Sequence, residues 1–164
     1  FPVSDIAAGL QRPGNCIGLH FFNPATVMKL VEVIVGKETR ADIRDRTSDF
    51  AESLGKTPVL VNDKPGFIVN RVARGFYLES LRVMEEGVAS KECIDALMRS
   101  TGFGMGPFEL MDLIGIDTNL AVTSSLYEAF GRPERFKPSR IQESLVKEGK
   151  LGVKTLRGFY DYQR

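Results

Sequence analysis

The sequence has almost no net charge and no long apolar run. Its 22 basic and 21 acidic residues are interspersed and leave a net charge of +1. This balance gives no electrostatic footprint for nucleic acid, so we expect no nucleic-acid partner. No apolar run approaches the roughly 20 residues that span a bilayer, and Phe1–Asp5 lacks the basic region of a signal peptide. We therefore expect a cytoplasmic protein with no membrane partner.

Cysteine and histidine are also scarce. The two cysteines, Cys16 and Cys93, lie far apart in apolar patterns and without the spacing of a metal site. We predict two buried free thiols, which suit a reducing compartment, and no metal ligands. The remaining composition, 43% hydrophobic and 26% charged, is ordinary for a globular protein. A length of 164 residues allows one domain or two small ones.

The single histidine lies in the most informative stretch of the chain. Cys16–Phe22 is apolar except for His20, and it ends at Asn23–Pro24. A short run of this kind predicts a strand buried on both faces, as in a parallel sheet. Because open α/β sheets bind ligands beyond the carboxyl ends of their strands, His20 is a candidate site residue.

A second apolar run, Met28–Val35, carries one carboxylate, Glu32, in its middle. A lone ionisable group in a buried strand needs a partner, so we predict that His20 and Glu32 pair. The imidazole would then act as a general base, and the carboxylate would fix its tautomer and stabilise the imidazolium. From spacing alone, an equally good interpretation is a hydrogen-bonded core histidine and a glutamate at a wet sheet edge.

Residues 1–64 have the pattern of an incomplete α/β domain. Ser4 is predicted to cap a short helix that ends near Leu10, and Gly55 to cap a helix over Thr39–Leu54. Thr57–Asn62 is predicted to be a third strand. Since the chain starts with phenylalanine and has no methionine before Met28, we expect it to be part of a longer protein.

Residues 65–164 have an all-helical pattern, and Asp63–Gly66 marks the predicted domain boundary. A long helix over Phe67–Glu86 is predicted to bury Val69, Val72, Phe76 and Val83. Gly102–Pro107 lacks the spacing of a nucleotide-binding loop, and we interpret it as a turn between helices. The other predicted helices are Lys91–Ser100 with Ser90 as its cap, Phe108–Ile114, Thr118–Phe130, and one from Pro138–Ser139 to Glu148.

Several blocks of residues, in the same order, resemble the 3-hydroxyacyl-CoA dehydrogenase family. These blocks are Gly18–Ala25, Met28–Ile34, Pro65–Arg71 and Met105–Asp112, and the match runs from about residue 4 to the end. The tail Gly152–Tyr160 also resembles the family's closing motif. It departs at Leu156, where family members often carry glycine, and this departure puts the local turn in doubt.

The resemblance implies an NAD-dependent oxidation of the 3-hydroxyl of an acyl-CoA, as in the β-oxidation of fatty acids. It implies that His20 is the catalytic base and that Glu32 is its partner. It also assigns Asn23 and Asn70 to substrate binding, and Asn23 to the cofactor as well. The implied fold is the C-terminal part of a Rossmann-type domain followed by an all-helical domain for substrate binding and dimerisation.

The resemblance also indicates what the 164 residues do not contain. In the family, a Gly-rich turn that holds the NAD pyrophosphate and a catalytic serine both precede the strand of the histidine. Nothing before His20 matches either feature. We therefore expect this chain alone to be inactive, with the phosphate-binding part of the NAD site absent from it.

Two alternatives to an acyl-CoA dehydrogenase remain. The chain could be a non-catalytic structural or dimerisation module, and relatives of this fold also serve as lens proteins and as sugar-acid dehydrogenases. The segment His20–Ala25 resembles the acyl-CoA branch more than these.

We also expect a homodimer through the helical domain, because eight apolar residues crowd around one glycine turn and would leave a large patch unburied. They are Phe103, Met105, Phe108, Leu110, Met111, Leu113, Ile114 and Ile116.

Overall fold

The computed structural model describes residues 2–163, which form two compact units that divide between Val69 and Asn70. The first unit combines a small sheet with helices, and the second is helical. The division lies a few residues after the boundary that the sequence predicts between residues 64 and 65. The elements of the first unit are α1 (Val3–Ala8), a 3-10 turn (Pro13–Asn15), β1 (Gly18–Phe21), β2 (Leu30–Val35), α2 (Ala41–Ser53) and β3 (Thr57–Asn62).

The sheet of the first unit has the order β1-β2-β3, with β1 antiparallel and β3 parallel to β2. The prediction of a fully buried strand in a parallel sheet is therefore wrong for the His20 strand, which is half-buried at the edge. The reason lies in the connection, because residues 22–29 are too few for a parallel crossover, which needs a dozen or more. The connection from β2 to β3 contains α2, and this pair is parallel as expected.

Two local features, a helix cap and the burial of the cysteines, differ from the sequence-based expectations. Ser4 does not cap α1, which begins at Val3, and the Ser4 N–H instead donates to Asp63 Oδ2 at 2.7 Å. The carboxylate of Asp63, just after β3, thus accepts an N–H group at the N-terminus of α1, a role that a local serine hydroxyl was expected to fill. Both cysteines are free, as predicted, but neither is buried, since Cys16 is half-buried and Cys93 is exposed.

The second unit is built from helices joined by short turns. Ser90 and Ser139 accept hydrogen bonds from the N–H groups at the starts of two of them, from Cys93 and Gln142 respectively. The cap predicted at Ser90 is thus confirmed. The elements are α3 (Val69–Glu85), α4 (Lys91–Ser100), α5 (Pro107–Ile114), α6 (Ile116–Ala129), a 3-10 turn (Glu134–Phe136), α7 (Arg140–Lys147) and a 3-10 turn (Val153–Thr155).

The buried face of α3 is only partly the one that apolar periodicity predicts, since Phe76 and Val83 are half-buried against the core but Val72 is not. Val72 is 72% exposed, whereas the buried residues of the helix are Arg74, Tyr77, Leu78 and Leu81. The periodicity misses this face because it counts only apolar residues, and an arginine takes one of the core positions.

The apolar cluster around the glycine turn is partly buried within the second unit. Phe108, Met111 and Ile116 are fully buried in the core of this unit. The expectation that one small bundle leaves the whole cluster unburied is thus wrong for these residues. Its exposed members are Phe103, Leu113 and Ile114.

Buried carboxylates hold the C-terminal tail on the helices of the second unit. Asp112 of α5 accepts the N–H groups of Phe159 and Tyr160 and the hydroxyl of Tyr162, each at 2.9 Å. Asp95 of α4 accepts the hydroxyl of Tyr160 at 2.8 Å. Burial raises the pKa of Asp95, and the hydrogen bonds that it accepts act in the opposite direction. The tail is therefore part of the fold of this unit.

Leu156 makes the turn of this tail without the glycine that family members often carry. Its backbone is left-handed, with φ of 60° and ψ of 9°. This conformation places Cβ of an L-residue close to its own backbone, at a penalty of roughly 1–2 kcal/mol. The turn forms in spite of the departure, but we infer that it is strained.

We predict that Leu156→Gly is more stable than Leu156→Ala by about 1 kcal/mol, because only glycine removes the left-handed penalty while both lose the leucine side chain. Urea unfolding followed by circular dichroism measures the difference. Equal midpoints for the two variants would show that the turn stores no backbone strain.

Candidate active site

His20 and Glu32 lie directly opposite each other in the antiparallel pair of β1 and β2. Directly opposed side chains project on the same face of a sheet, close enough to interact. His20 Nδ1 and Glu32 Oε2 are 2.7 Å apart, which is the distance of a short hydrogen bond. The structure thus brings together the two residues that the sequence predicts to pair.

Glu32 is buried, with 1% of its surface exposed. Its second oxygen, Oε1, accepts the backbone N–H groups of Ile68 and Val69 at 2.9 Å and 3.0 Å. A buried carboxylate is tolerated when its oxygens find donors, and here both oxygens do. The backbone therefore holds the carboxylate in position through one oxygen, and the other oxygen contacts the imidazole.

The carboxylate sets the tautomer of His20. Because an ionised carboxylate only accepts hydrogen bonds, the Nδ1 that faces Glu32 carries the proton, and Nε2 is left as an acceptor. The His20 side chain keeps 30% of its surface exposed, and Nε2 has no hydrogen-bond partner within residues 2–163. In the neutral imidazole, an Nε2 acceptor on a partly exposed side chain beside a fixed carboxylate has the arrangement of a general base.

Two aromatic rings that the sequence interpretation did not single out pack against the imidazole. The ring centroids of Phe22 and Phe67 lie 4.7 Å and 5.7 Å from that of His20. The predicted helix start at Phe67 is wrong, because Phe67 has φ of +48° and α3 begins at Val69. The Pro65–Gly66 pair before it was the available signal of a turn.

Phe67 adopts a backbone conformation that is rare for a bulky residue. It follows Gly66, which also has a positive φ of 75°. This turn places the ring of Phe67 against the imidazole and leads directly into the N–H groups of residues 68 and 69 that bind Glu32. Strained residues of this kind concentrate at functional sites.

The two asparagines implied by the resemblance lie in different units. Asn23 is exposed and follows β1 by two residues, so it lies beyond the end of the His20 strand. Asn70 is half-buried in the first turn of α3 and belongs to the second unit. Their roles in binding stay predictions.

Neither a cluster of metal ligands nor a membrane-spanning helix occurs within residues 2–163. Within them, no group of three or more His, Cys, Asp or Glu residues could hold a metal ion. No helix there is long and apolar enough to cross a membrane.

Two family profiles match consecutive parts of the chain and together cover most of it. The profile described as "3-hydroxyacyl-CoA dehydrogenase, NAD binding domain" matches residues 1–64, and "3-hydroxyacyl-CoA dehydrogenase, C-terminal domain" matches residues 66–162. The chain belongs to the 3-hydroxyacyl-CoA dehydrogenase family. The resemblance seen in the sequence blocks is thus confirmed.

Individual relatives agree with this assignment. The chain is 51% identical over 162 residues to a "3-hydroxyadipyl-CoA dehydrogenase" of Escherichia coli, covering 98% of this chain and 34% of that protein. It is 42% identical to the mitochondrial "Hydroxyacyl-coenzyme A dehydrogenase" of Sus scrofa, covering 98% of this chain and 52% of that protein. The chain therefore spans about half or less of the length of these curated relatives.

A solved structure gives the same picture of the fold. The crystal structure of an E. coli "3-hydroxybutyryl-CoA dehydrogenase" superimposes with a TM-score of 0.96 at 50% identity. The match covers 100% of this chain and 35% of that one.

We predict that Glu32→Gln keeps the fold but reverses the tautomer of His20. The amide oxygen can still accept the N–H groups of residues 68 and 69, while the amide nitrogen donates to Nδ1 and moves the ring proton to Nε2. Since His20 is the single histidine, its two ring signals in a ¹⁵N NMR spectrum report the tautomer without ambiguity.

Glu32→Leu is the matched control, because it leaves three donors without an acceptor and is expected to lower the free energy of unfolding by about 3 kcal/mol or more. A Glu32→Gln variant that unfolds as readily as Glu32→Leu would make Glu32 chiefly a structural residue. A retained Nδ1 proton in Glu32→Gln would contradict the tautomer assignment.

Proposed function

We propose that this chain carries the proton-transfer groups of an NAD-dependent 3-hydroxyacyl-CoA dehydrogenase. The observation that supports the proposal most directly is the pair of His20 and Glu32, in which Nδ1 is hydrogen-bonded to a buried carboxylate and the imidazole is partly exposed. Family membership supports the substrate class and the cofactor. We further propose that residues 1–64 correspond to the end of a Rossmann-type domain, and that the intact enzyme is cytoplasmic.

In the proposed reaction, His20 Nε2 removes the proton of the substrate 3-hydroxyl. When bound, NAD would supply the acceptor for the hydride of C3, while the contribution of these residues is the removal of the hydroxyl proton. The imidazolium that results is stabilised by the Glu32 carboxylate, whose other oxygen is held by the backbone. In the reverse direction the same imidazolium returns the proton to the oxygen.

Asn23 and Asn70 are proposed to position the reacting molecules. A side-chain amide can donate to the oxygen that changes charge and accept from a nearby hydroxyl. The exposed amide of Asn23, beyond the end of β1, is available to substrate or nicotinamide. The half-buried Asn70, in the first turn of α3, is proposed to bind the substrate.

The described residues do not fit the pyrophosphate of NAD. A phosphate cradle needs a Gly-rich turn from a strand into a helix, with free N–H groups and no nearby carboxylate. At the start of α1, Asp63 accepts the N–H of Ser4, and at the start of α2, Asp42 occupies the first turn. We therefore assign to residues 2–163 the proton transfer and no part in holding the phosphates.

The acyl group is not determined by family membership. The E. coli relative is named for a hydroxyadipyl group, and the E. coli crystal structure for a hydroxybutyryl group. The proposal is therefore made at the level of 3-hydroxyacyl-CoA substrates. Comparing the turnover of acetoacetyl-CoA and of a keto sugar acid, each with NADH, tests the acyl-CoA proposal against the sugar-acid alternative. If the intact protein turns over neither compound, the structural module is favoured.

We predict that His20→Ala lowers kcat by at least about 100-fold in an intact dehydrogenase that contains these residues, as expected for the loss of a general base. Val27→Ala, at an exposed position of the first unit, is the control and is expected to keep its activity. Unchanged turnover of His20→Ala at saturating substrate would exclude the assignment of the base.

We predict that residues 1–164 alone bind NAD more weakly than millimolar and do not turn over substrate, since they offer no fitting site for the phosphates. Calorimetry with the purified chain measures the affinity. A micromolar site on this chain would contradict the prediction and require a phosphate contact from the described helices.

We propose that the chain is a homodimer through its helical unit, and that the exposed members of the apolar cluster contribute to the contact. Light scattering at tens of micromolar is expected to give twice 18.2 kDa. Leu113→Glu should shift it to the monomer, whereas Val88→Glu, at an exposed apolar position after α3, should not. A wild-type monomer would refute the proposal.

A further inference from the structure

Arg74 is a buried cation in the second unit. It lies in α3 with 3% of its surface exposed. Burial lowers the pKa of Arg74 to about 10, so the guanidinium remains charged at neutral pH. An arginine at a core position is costly unless its charge is compensated.

All the recorded partners of Arg74 are neutral. Nε donates to the carbonyl oxygen of Asn70 at 3.2 Å, and Nη1 donates to the Asn119 carbonyl at 3.0 Å and to Thr123 Oγ1 at 2.7 Å. Its guanidinium carbon lies 4.8 Å from the centre of the Tyr77 ring. No ion pair within residues 2–163 includes Arg74. The guanidinium therefore has hydrogen-bond acceptors for some of its N–H groups but no negative charge to balance its own.

The same network has donors without acceptors. Nη2 of Arg74 makes none of the hydrogen bonds of this network. It is also not one of the unpaired side-chain atoms that are fully buried, so it keeps some exposed surface. Asn119 Nδ2, on the residue that Arg74 contacts, is fully buried and has no partner. A carboxylate, which only accepts hydrogen bonds, would supply both the missing charge and a missing acceptor.

The position of Arg74 places its unbalanced positive charge and its free donor near the proposed substrate site. Asn70 and Arg74 are four residues apart and lie on the same face of α3, separated by a rise of about 6 Å. In a six-carbon acyl chain, three carbon–carbon bonds of about 1.5 Å separate C3 from C6, so an extended chain places a carboxylate at C6 roughly 4–5 Å from C3. If Asn70 binds near the reacting oxygen, Arg74 is within the reach of that carboxylate.

We propose that Arg74 binds a carboxylate at the far end of the acyl chain, so that the preferred substrates are CoA thioesters of 3-hydroxy dicarboxylic acids. The inference rests on the proposed function and deepens it, because it names the substrate class of the same site. Nη2 is the donor that receives the carboxylate. Thr123 and Asn119 hold the guanidinium through Nη1, and Asn70 holds it through Nε.

The test compares two substrates of equal chain length in an intact dehydrogenase that contains these residues. The probes are 3-hydroxyadipyl-CoA, which has the terminal carboxylate, and 3-hydroxyhexanoyl-CoA, which has a methyl group in its place. We expect kcat/KM for the diacid to exceed that for the monoacid by at least about 100-fold, since a buried polar group left unpaired discriminates strongly.

Arg74→Met is expected to reduce the ratio of the two kcat/KM values to within about 10-fold, mainly by loss of activity on the diacid. Arg82→Met is the matched control, because Arg82 lies on the same helix, pairs with Glu79 and is expected to keep the ratio. If Arg74→Met does not fold, the ratio measured for the unaltered enzyme still tests the preference for the dicarboxylic substrate, and a ratio near one overturns the proposal.

The outcomes separate this inference from the proposed function. Turnover of both probes at similar rates by the unaltered enzyme overturns the role of Arg74 and leaves a 3-hydroxyacyl-CoA dehydrogenase in place. An equal loss on both probes in Arg74→Met also overturns it, because a contact with the CoA phosphates or a purely structural role would act on both. No turnover of either probe overturns the proposed function and the inference together.

Discussion

The buried carboxylate of Glu32 is the constraint on which the first unit depends. Three donors, the His20 ring and the N–H groups of Ile68 and Val69, come from two separate stretches of chain and meet at its two oxygens. A slip of β1 by one residue would place Leu19 or Phe21 opposite the glutamate and turn the imidazole to the other face. The register of the sheet and the turn before α3 are therefore specified by the same charge that orients the base.

Local patterns of the sequence predict the elements well where one signal dominates. The bounds of β3 and α4 agree with the prediction, because a short apolar run and a serine cap leave few alternatives. The pairing of His20 with Glu32 is predictable since a charge in a buried strand requires a partner. The direction of β1 was missed because an apolar run has no direction, and only the length of the connection after it reveals the antiparallel pairing.

Long-range and polar features could not be predicted in the same way. The hydrogen bonds of Asp112 connect residues 47 or more positions apart, and no periodicity encodes them. The place of Arg74 in the core contradicts the apolar pattern of α3, since tertiary contacts override the preference of the single residue. The contact of Phe67 with the imidazole depends on a left-handed backbone that the residue type itself disfavours.

The attachment of the tail to Asp95 and Asp112 also has a consequence for biosynthesis. These carboxylates lie on α4 and α5, but their partners Tyr160 and Tyr162 are translated 48 or more residues later. On the ribosome, Asp95 can already accept the N–H groups of Phe108 and Glu109, whereas Asp112 lacks its partners and the core lacks Phe159 until the tail has emerged. A stalled or prematurely ended translation would yield a bundle that exposes apolar surface to chaperones and proteases.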